Sequence, residues 1–232
     1  MFHFRPAAER GGFDFGTLLT RHSFSFGDYY DPKWMSFRTL RVMNEDVLAA
    51  GGGFPMHPHK DMEIVTFVLA GALSHKDSLG NGSTIRAGGV QRMTAGTGIV
   101  HSEFNDSKKE PVHLYQVWIL PDEKNLVPGY EERLSMEPEA GAIWRLAASK
   151  DGRDGSVVIH QDAAISIGRA GRGQRIERSI PAGRHVWLQV VGGTIRIGGR
   201  ELDAGGGVGL SDETSFAFEA TDDAHLLLFD LA

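Results

Sequence analysis

Three short segments of this chain recur later in it, in the same order and at similar spacing. Phe67-Val68-Leu69-Ala70-Gly71-Ala72-Leu73 is echoed by Gln189-Val190-Val191-Gly192-Gly193-Thr194-Ile195. Ala87-Gly88-Gly89-Val90 is echoed by Ala204-Gly205-Gly206-Gly207-Val208, and Val112-His113-Leu114-Tyr115 by Ala224-His225-Leu226-Leu227. One match alone is chance; three in order indicate two copies of one unit. The repeated pieces are apolar runs of strand length closed by glycine, so the unit is a β domain. Glycine supplies 30 of 232 residues, against a usual ~7%, as a chain with many tight turns requires. The chain therefore reads as all-β with few short helices, divided into an N-terminal domain 1–128 and a C-terminal domain 129–232.

Within the first copy, residues 63–70 read as a buried strand ended by Gly71, and Ala72 to His75 lead into a hairpin. Its turn, Asp77-Ser78-Leu79-Gly80-Asn81-Gly82, contains Asn-Gly, the strongest short-range hairpin signal. Val112 to Leu120 is another strand, and Phe37 to Val42 alternates as a half-buried strand does. Residues 121–142 differ: three prolines, six acidic residues and little periodicity describe a linker with room for a short helix.

Two pairs of metal-ligand side chains stand in the first copy, His57-Pro58-His59 and His101-Ser102-Glu103. On a strand, an i, i+2 spacing puts both members on one face. Facing each other across a barrel, the two pairs would place three imidazoles and one carboxylate, Glu103, around one transition-metal ion, with room left for substrate. Gly96-Thr97-Gly98 lets the backbone bend sharply ahead of His101. With no cysteine in the chain, a metal must be held by His, Asp and Glu. The second copy has lost these ligands. Where His101 and Glu103 would fall it carries Ser215-Phe216-Ala217-Phe218, which is packing material, so one metal site is expected, in the first copy only.

His75-Lys76-Asp77 has a similar spacing but sits at the hairpin turn, where a solvated role is expected. His113 and its echo His225 open equivalent strands in both copies and are read as structural, and His22, His160 and His185 as ordinary. Glu63 shares the histidine face if the chain runs straight from His57. A turn at Lys60-Asp61-Met62 would reset the parity and leave it a supporting or salt-bridging carboxylate, the reading preferred here.

The net charge of −6 argues against general nucleic-acid binding. No stretch approaches the ~20 apolar residues of a membrane span, and Met1-Phe2-His3-Phe4-Arg5 lacks a signal-peptide core. A cytoplasmic monomer is the expectation. Residues 169–200 hold seven arginines and one acidic residue, and 201–232 hold eight acidic residues and no lysine or arginine. Pairing across adjacent strands of one domain accounts for this; a docking strip for an acidic partner is the competing reading.

The ligand residues also resemble the cupin superfamily. Gly51, His57, His59, Glu63 and Gly71 follow its first motif, with seven rather than six residues between Glu63 and Gly71. That offset puts the usual carboxylate position at Ile64 and points to Glu103 instead. Gly98, His101 and Asn105 follow the second motif, with Gly96 where proline is usual. RHSFSFGDYYDP (21–32), HPHKDMEIVTFVLAG (57–71), HKDSLGN (75–81) and MTAGTGIVHSE (93–103) are similar to the pirin family, nearest to its bacterial members described as quercetinases. The resemblance implies a bicupin of two antiparallel jelly-roll barrels. It implies one divalent metal on His57, His59, His101 and Glu103: Fe(II) first, with Cu, Mn, Ni, Co or Zn also accommodated by such ligands. It implies oxidative ring opening of a flavonol by dioxygen with loss of carbon monoxide. Glu103, switching between ligand and base, is one candidate for the proton acceptor. The competing function is a non-catalytic, metal-binding regulator or redox sensor acting through protein partners.

Overall fold

The apolar run 63–70 is the strand Glu63–Ala70, buried along most of its length, and the turn at Gly71 opens the strand Ala72–Asp77. Both β-branched content and burial on two faces favour that element, because it is covered by a second layer on each side. In the computed structural model, which describes residues 1–232, these strands belong to two different sheets of one barrel. The larger sheet runs Gly129–Arg133, Val90–Thr94, Glu63–Ala70, Val112–Ile119, Leu40–Leu48, Leu18–His22, Gly11–Asp14. The smaller runs Gly53–His59, Ile99–Phe104, Ala72–Asp77, Gly82–Arg86.

The second half repeats this order. Its larger sheet runs Phe2–Arg5, Gly207–Leu210, His185–Gly192, Ala224–Leu231, Ala163–Ala170, Trp144–Ser149, Val157–Val158. Its smaller sheet runs Arg175–Ser179, Ser215–Ala220, Thr194–Ile197, Arg200–Asp203. All pairings are antiparallel except the short one between Ala148-Ser149 and Val157-Val158. The only helical pieces are two 3-10 turns, Ala7–Glu9 and Arg153–Gly155. The fold is thus all-β with two copies of one barrel, as the duplication requires, arranged as the bicupin that the resemblance implies. Gly71 and Gly193 occupy equivalent turns with φ of 76° and 71°. At each, a Cβ would collide with a carbonyl oxygen, Pro111 O at 2.5 Å and Asp223 O at 2.0 Å, so both copies need glycine there.

Two features depart from the expected division at residue 128. Gly129–Arg133 is the edge strand of the first barrel, paired with Val90–Thr94. Phe2–Arg5 is the edge strand of the second barrel, paired with Gly207–Leu210. Each barrel's large sheet is completed by a strand whose sequence lies outside the repeat, and this covers an edge left unpaired by the repeat itself. Residues 121–142 contain that strand and no helix.

Alternation along the strands sorts side chains into distinct cores. The largest cluster, 22 buried side chains including Tyr115, Val117, Ile165, Trp187 and Phe229, lies between the two large sheets and joins the barrels. Seventeen more, including Leu188, Ile195, Phe216 and Phe218, fill the second barrel. Inside the first barrel there are only separate clusters of six and four. The second barrel is therefore packed solid, whereas the first has room left for a site.

The arginine-rich strip is explained by register. Arg175 faces Glu219, Glu219 faces Arg196, and Arg196 faces Glu201, one alternating row across the small sheet. Arg196 approaches Glu201 to 3.6 Å, and Arg184 bonds both Asp230 and Asp162.

Candidate metal centre

Antiparallel pairing sets His57 opposite His101. Pro58 and Ser102 point the other way, so His57 with His59, and His101 with Glu103, share the barrel interior. The register slips between His101 and Glu103, which faces Phe54. Pro55, with no N–H to give to the ladder, falls in this bulge. The approach to His101 is shaped by Gly96, φ 47°, where a Cβ would fall 2.0 Å from Leu126 O. The position takes glycine because the interbarrel segment crosses it.

His57, His59 and His101 form one group whose ligand nitrogens all lie within 4.8 Å of each other. His57 Nε2 and His101 Nε2 are 3.0 Å apart. His57 Nδ1 donates to Pro55 O at 2.7 Å, so its Nε2 carries the lone pair. His59 Nε2 is buried without any hydrogen-bond partner. An orphaned buried nitrogen is unfavourable in a protein interior, and a cation that all three imidazoles can reach at the ~2.1 Å of an imidazole–metal bond would satisfy it. Burial and the neighbouring imidazoles hold His101 down to about 2 and His59 to about 4. Both are neutral at physiological pH, as ligation requires.

Glu103 is fully buried and belongs to an overlapping group with His75 and His101. Its Oε2 accepts from Gln116 Nε2 at 2.8 Å and its Oε1 from Gln91 Nε2. Burial raises this carboxyl to about 7 against those two amides. The amides come from the opposite sheet, and Trp118, two residues beyond Gln116, meets His59 edge-on at 4.8 Å. Gln91, Gln116 and Trp118 escaped the sequence reading. Gln116 had one signal, a glutamine set between Tyr115 and Val117 in a mostly apolar strand.

Glu63 is elsewhere. Asp61 takes a left-handed φ of 49°, the parity-resetting turn. Glu63 then accepts from Thr94 Oγ1 at 3.0 Å and is hydrogen-bonded to His160 Nδ1 at 3.1 Å, a supporting role away from the three histidines. His75 is a correction: it is not solvated. The strand continues to Asp77, with His75 opposite Glu103 and Asp77 opposite His101, so both face inward and His75 is 1% exposed. His22, read as ordinary, is a buried wall of the cavity, bonded to Asn44 Oδ1 at 2.7 Å. His113 bonds Glu45 at 2.9 Å and His185 bonds Ser211 at 2.9 Å.

The histidines open onto a cavity of about 450 Å³. Phe13, Phe15, Phe26, Phe54 and Trp118 line it together with His57, His59, Glu103, Gln116 and Asp46. Burial, reinforced by the Glu45 charge, raises Asp46 to about 7. A carboxyl with a folded value above its unfolded ~3.9 weakens the fold as it ionises. Stability contributed here is present below about pH 4 and is lost as pH rises toward 7. The Asp46→Asn protein is expected to gain in melting temperature over the parent from pH 5 to pH 8, with the gain level above that.

Comparison with known proteins matches these observations. The Pirin family model matches residues 3–119, and the model of the quercetinase C-terminal cupin domain matches residues 146–231. The chain is 45% identical over 231 residues to quercetin 2,3-dioxygenase of Escherichia coli strain K12, covering 100% of this chain and 99% of the relative. It is 41% identical to a putative quercetin 2,3-dioxygenase of Pasteurella multocida, over 90% of each. Among solved structures, YhhW from Escherichia coli superposes with a TM-score of 0.95 at 45% identity, over 100% of this chain and 98% of that one. The structure of the bacterial pirin YhhW in complex with nickel(II) gives 0.94 at 44% identity, over 100% and 99%. No helix is long and apolar enough to cross a membrane. On its matched domains and its full-length relatives, the chain belongs to the pirin family.

Proposed function

We propose that this protein is a metal-dependent dioxygenase that opens the ring of flavonols such as quercetin. The observation that carries this reading is the aromatic-walled cavity ending on the histidine cluster. His57, His59, His101 and Glu103 are the proposed ligands of one divalent transition metal, iron(II) foremost. Nickel(II) is the ion in the related YhhW complex. Bound there, such an ion would supply Lewis acidity toward a substrate hydroxyl and a route for electrons to dioxygen.

The chain's own residues do the rest. Phe13, Phe26, Phe54 and Trp118 offer ring faces and edges to a planar polycyclic substrate. Phe26 and Trp118 pack edge-to-face at 5.2 Å, which fixes that wall. Glu103, as an ionised carboxylate beside the bound metal, is the proposed acceptor of the proton of the 3-hydroxyl. Gln91 and Gln116 hold its two oxygens in place.

The test is loss of quercetin in air and under nitrogen, with each divalent metal, by the parent and by His57→Ala, Glu103→Ala and Glu63→Ala. Oxygen-dependent turnover with carbon monoxide released is expected in the parent and in Glu63→Ala. The His57 and Glu103 variants are expected to lose ~100-fold or more, the scale of losing a ligand or proton-transfer group. No oxygen-dependent turnover with any metal would sink the enzyme reading. Loss of metal and activity in Glu63→Ala but not Glu103→Ala would overturn the ligand assignment.

A further inference from the structure

His101 is the one member of the cluster whose second ring nitrogen faces another histidine. His101 Nδ1 lies 3.5 Å from His75 Nδ1, and His75 Nε2 lies 3.1 Å from Asp77 Oδ2. With both imidazoles neutral, one proton arrangement satisfies all three groups. If His101 Nε2 presents its lone pair toward His57 and His59, its proton is on Nδ1 and is donated to His75 Nδ1. His75 then carries its proton on Nε2 and donates it to Asp77.

Asp77 is built to be the fixed end of this chain. Its Oδ1 accepts from the backbone N–H of Leu79 and Asn81 at 2.9 and 3.0 Å, and its Oδ2 from Asn81 Nδ2 at 2.9 Å. With His75 this makes four donors, the capacity of a carboxylate. The His75 and Asp77 side chains are both fully buried. His75 cannot swing away, because Tyr130 stacks on it at 4.5 Å with an interplanar angle of 22°. The Tyr130 hydroxyl lies within hydrogen-bond reach of both Glu132 Oε2, at 2.8 Å, and Gln91 Oε1, at 3.1 Å, and Gln91 holds Glu103. The Asn-Gly hairpin and the interbarrel strand therefore converge on the side of the site away from the cavity.

We infer that His75 and Asp77 are positioning residues that fix the tautomer and orientation of His101 and strengthen it as a metal donor. This rests on the reading that His101 is a ligand. An imidazole whose far N–H is hydrogen-bonded to an acceptor backed by an anion is a better donor, and disturbing such outer partners costs ~10–100-fold in metal affinity.

The test measures nickel(II) affinity by competition with a chelator for the parent, His75→Phe and His75→Asn. Phenylalanine keeps the stacking and removes both ring nitrogens. Asparagine places a carbonyl oxygen near the Nδ1 position and restores an acceptor for His101. His75→Phe is expected to bind nickel ~10–100-fold more weakly, and His75→Asn to recover most of that loss. In the zinc(II)-loaded protein, a slowly exchanging His101 Nδ1–H proton resonance is expected in the parent and in His75→Asn, and is absent in His75→Phe. Should His75→Phe not fold, Asp77→Asn carries the test, with an expected ~10-fold loss. Unchanged affinity in the variants, or equal loss in His75→Phe and His75→Asn, overturns the inference. A parent protein that binds no nickel overturns the metal reading instead.

Discussion

The His101→Ala protein is expected to lose nickel(II) affinity by well over ~100-fold, more than any change to an outer partner achieves, and to lose flavonol turnover with it. His101 stands at the centre of the cluster. Its ring lies 4.4 Å from that of His57, 4.9 Å from His59 and 5.3 Å from His75. Removing it takes away one of three convergent nitrogens and unlinks Glu103 and His75 from the other two. The same change has a second, opposite signature in the metal-free protein. A histidine whose folded value is depressed to about 2 leaves the proton to the unfolded chain, so the fold loses stability as pH falls below the ordinary ~6.5, by up to ~1.4 kcal/mol per pH unit. Metal-free His101→Ala should therefore be less acid-sensitive than the parent while binding metal far worse. Thermal melts from pH 4 to 8 and nickel titrations on the same preparations check both halves. Tight nickel binding retained without His101 would remove it from the ligand set.

The separation between what could and could not be read in the sequence follows the range of the interactions. The strand Glu63–Ala70 and its turn at Gly71 depend on local alternation and turn chemistry and stand where the sequence puts them, and the proposed ligands His57, His59 and His101 lie together as their spacing predicts. That the matching positions of the second copy carry packing residues was legible too, since Phe216 and Phe218 fill its interior. His75 was misread because its environment is decided by strands distant in sequence. Pairing with Ile99–Phe104 extends its strand past the assumed turn and points it inward. Glu63 depended on one dihedral, Asp61, that alternation cannot anticipate. The cavity walls Phe13, Phe15 and Phe26 come from a segment whose sequence shows aromatic residues but not the space they enclose. The exchanged edge strands Phe2–Arg5 and Gly129–Arg133 were invisible because they lie outside the repeat that revealed the two barrels.

That exchange makes the barrels one structural unit, and Trp187→Ala is the substitution expected to show it. Trp187 is fully buried in the cluster between the large sheets. Its ring meets Phe24 at 4.9 Å, Phe37 at 5.6 Å and Trp34 at 6.1 Å, all from the N-terminal half. Its Nε1 donates to Gln189 Oε1 at 3.2 Å, and the chain at Gly207 passes so close that a Cβ there would stand 2.5 Å from the indole. Neighbours so constrained cannot collapse into the space left by alanine, so the change is expected to cost ~3–5 kcal/mol. For a chain of this length that lowers the melting temperature by roughly 10 °C. Trp187 lies across the large sheets from the metal cluster, because Tyr115 and Val117 face the interbarrel core while Gln116 and Trp118 face the cavity. Nickel affinity in the folded variant should therefore stay within about threefold of the parent's, as additivity predicts for distant sites. The two substitutions thus separate: His101→Ala removes the site and spares the fold, and Trp187→Ala weakens the fold and spares the site. A melting temperature lowered by less than about 3 °C would show that the barrels do not rely on this contact.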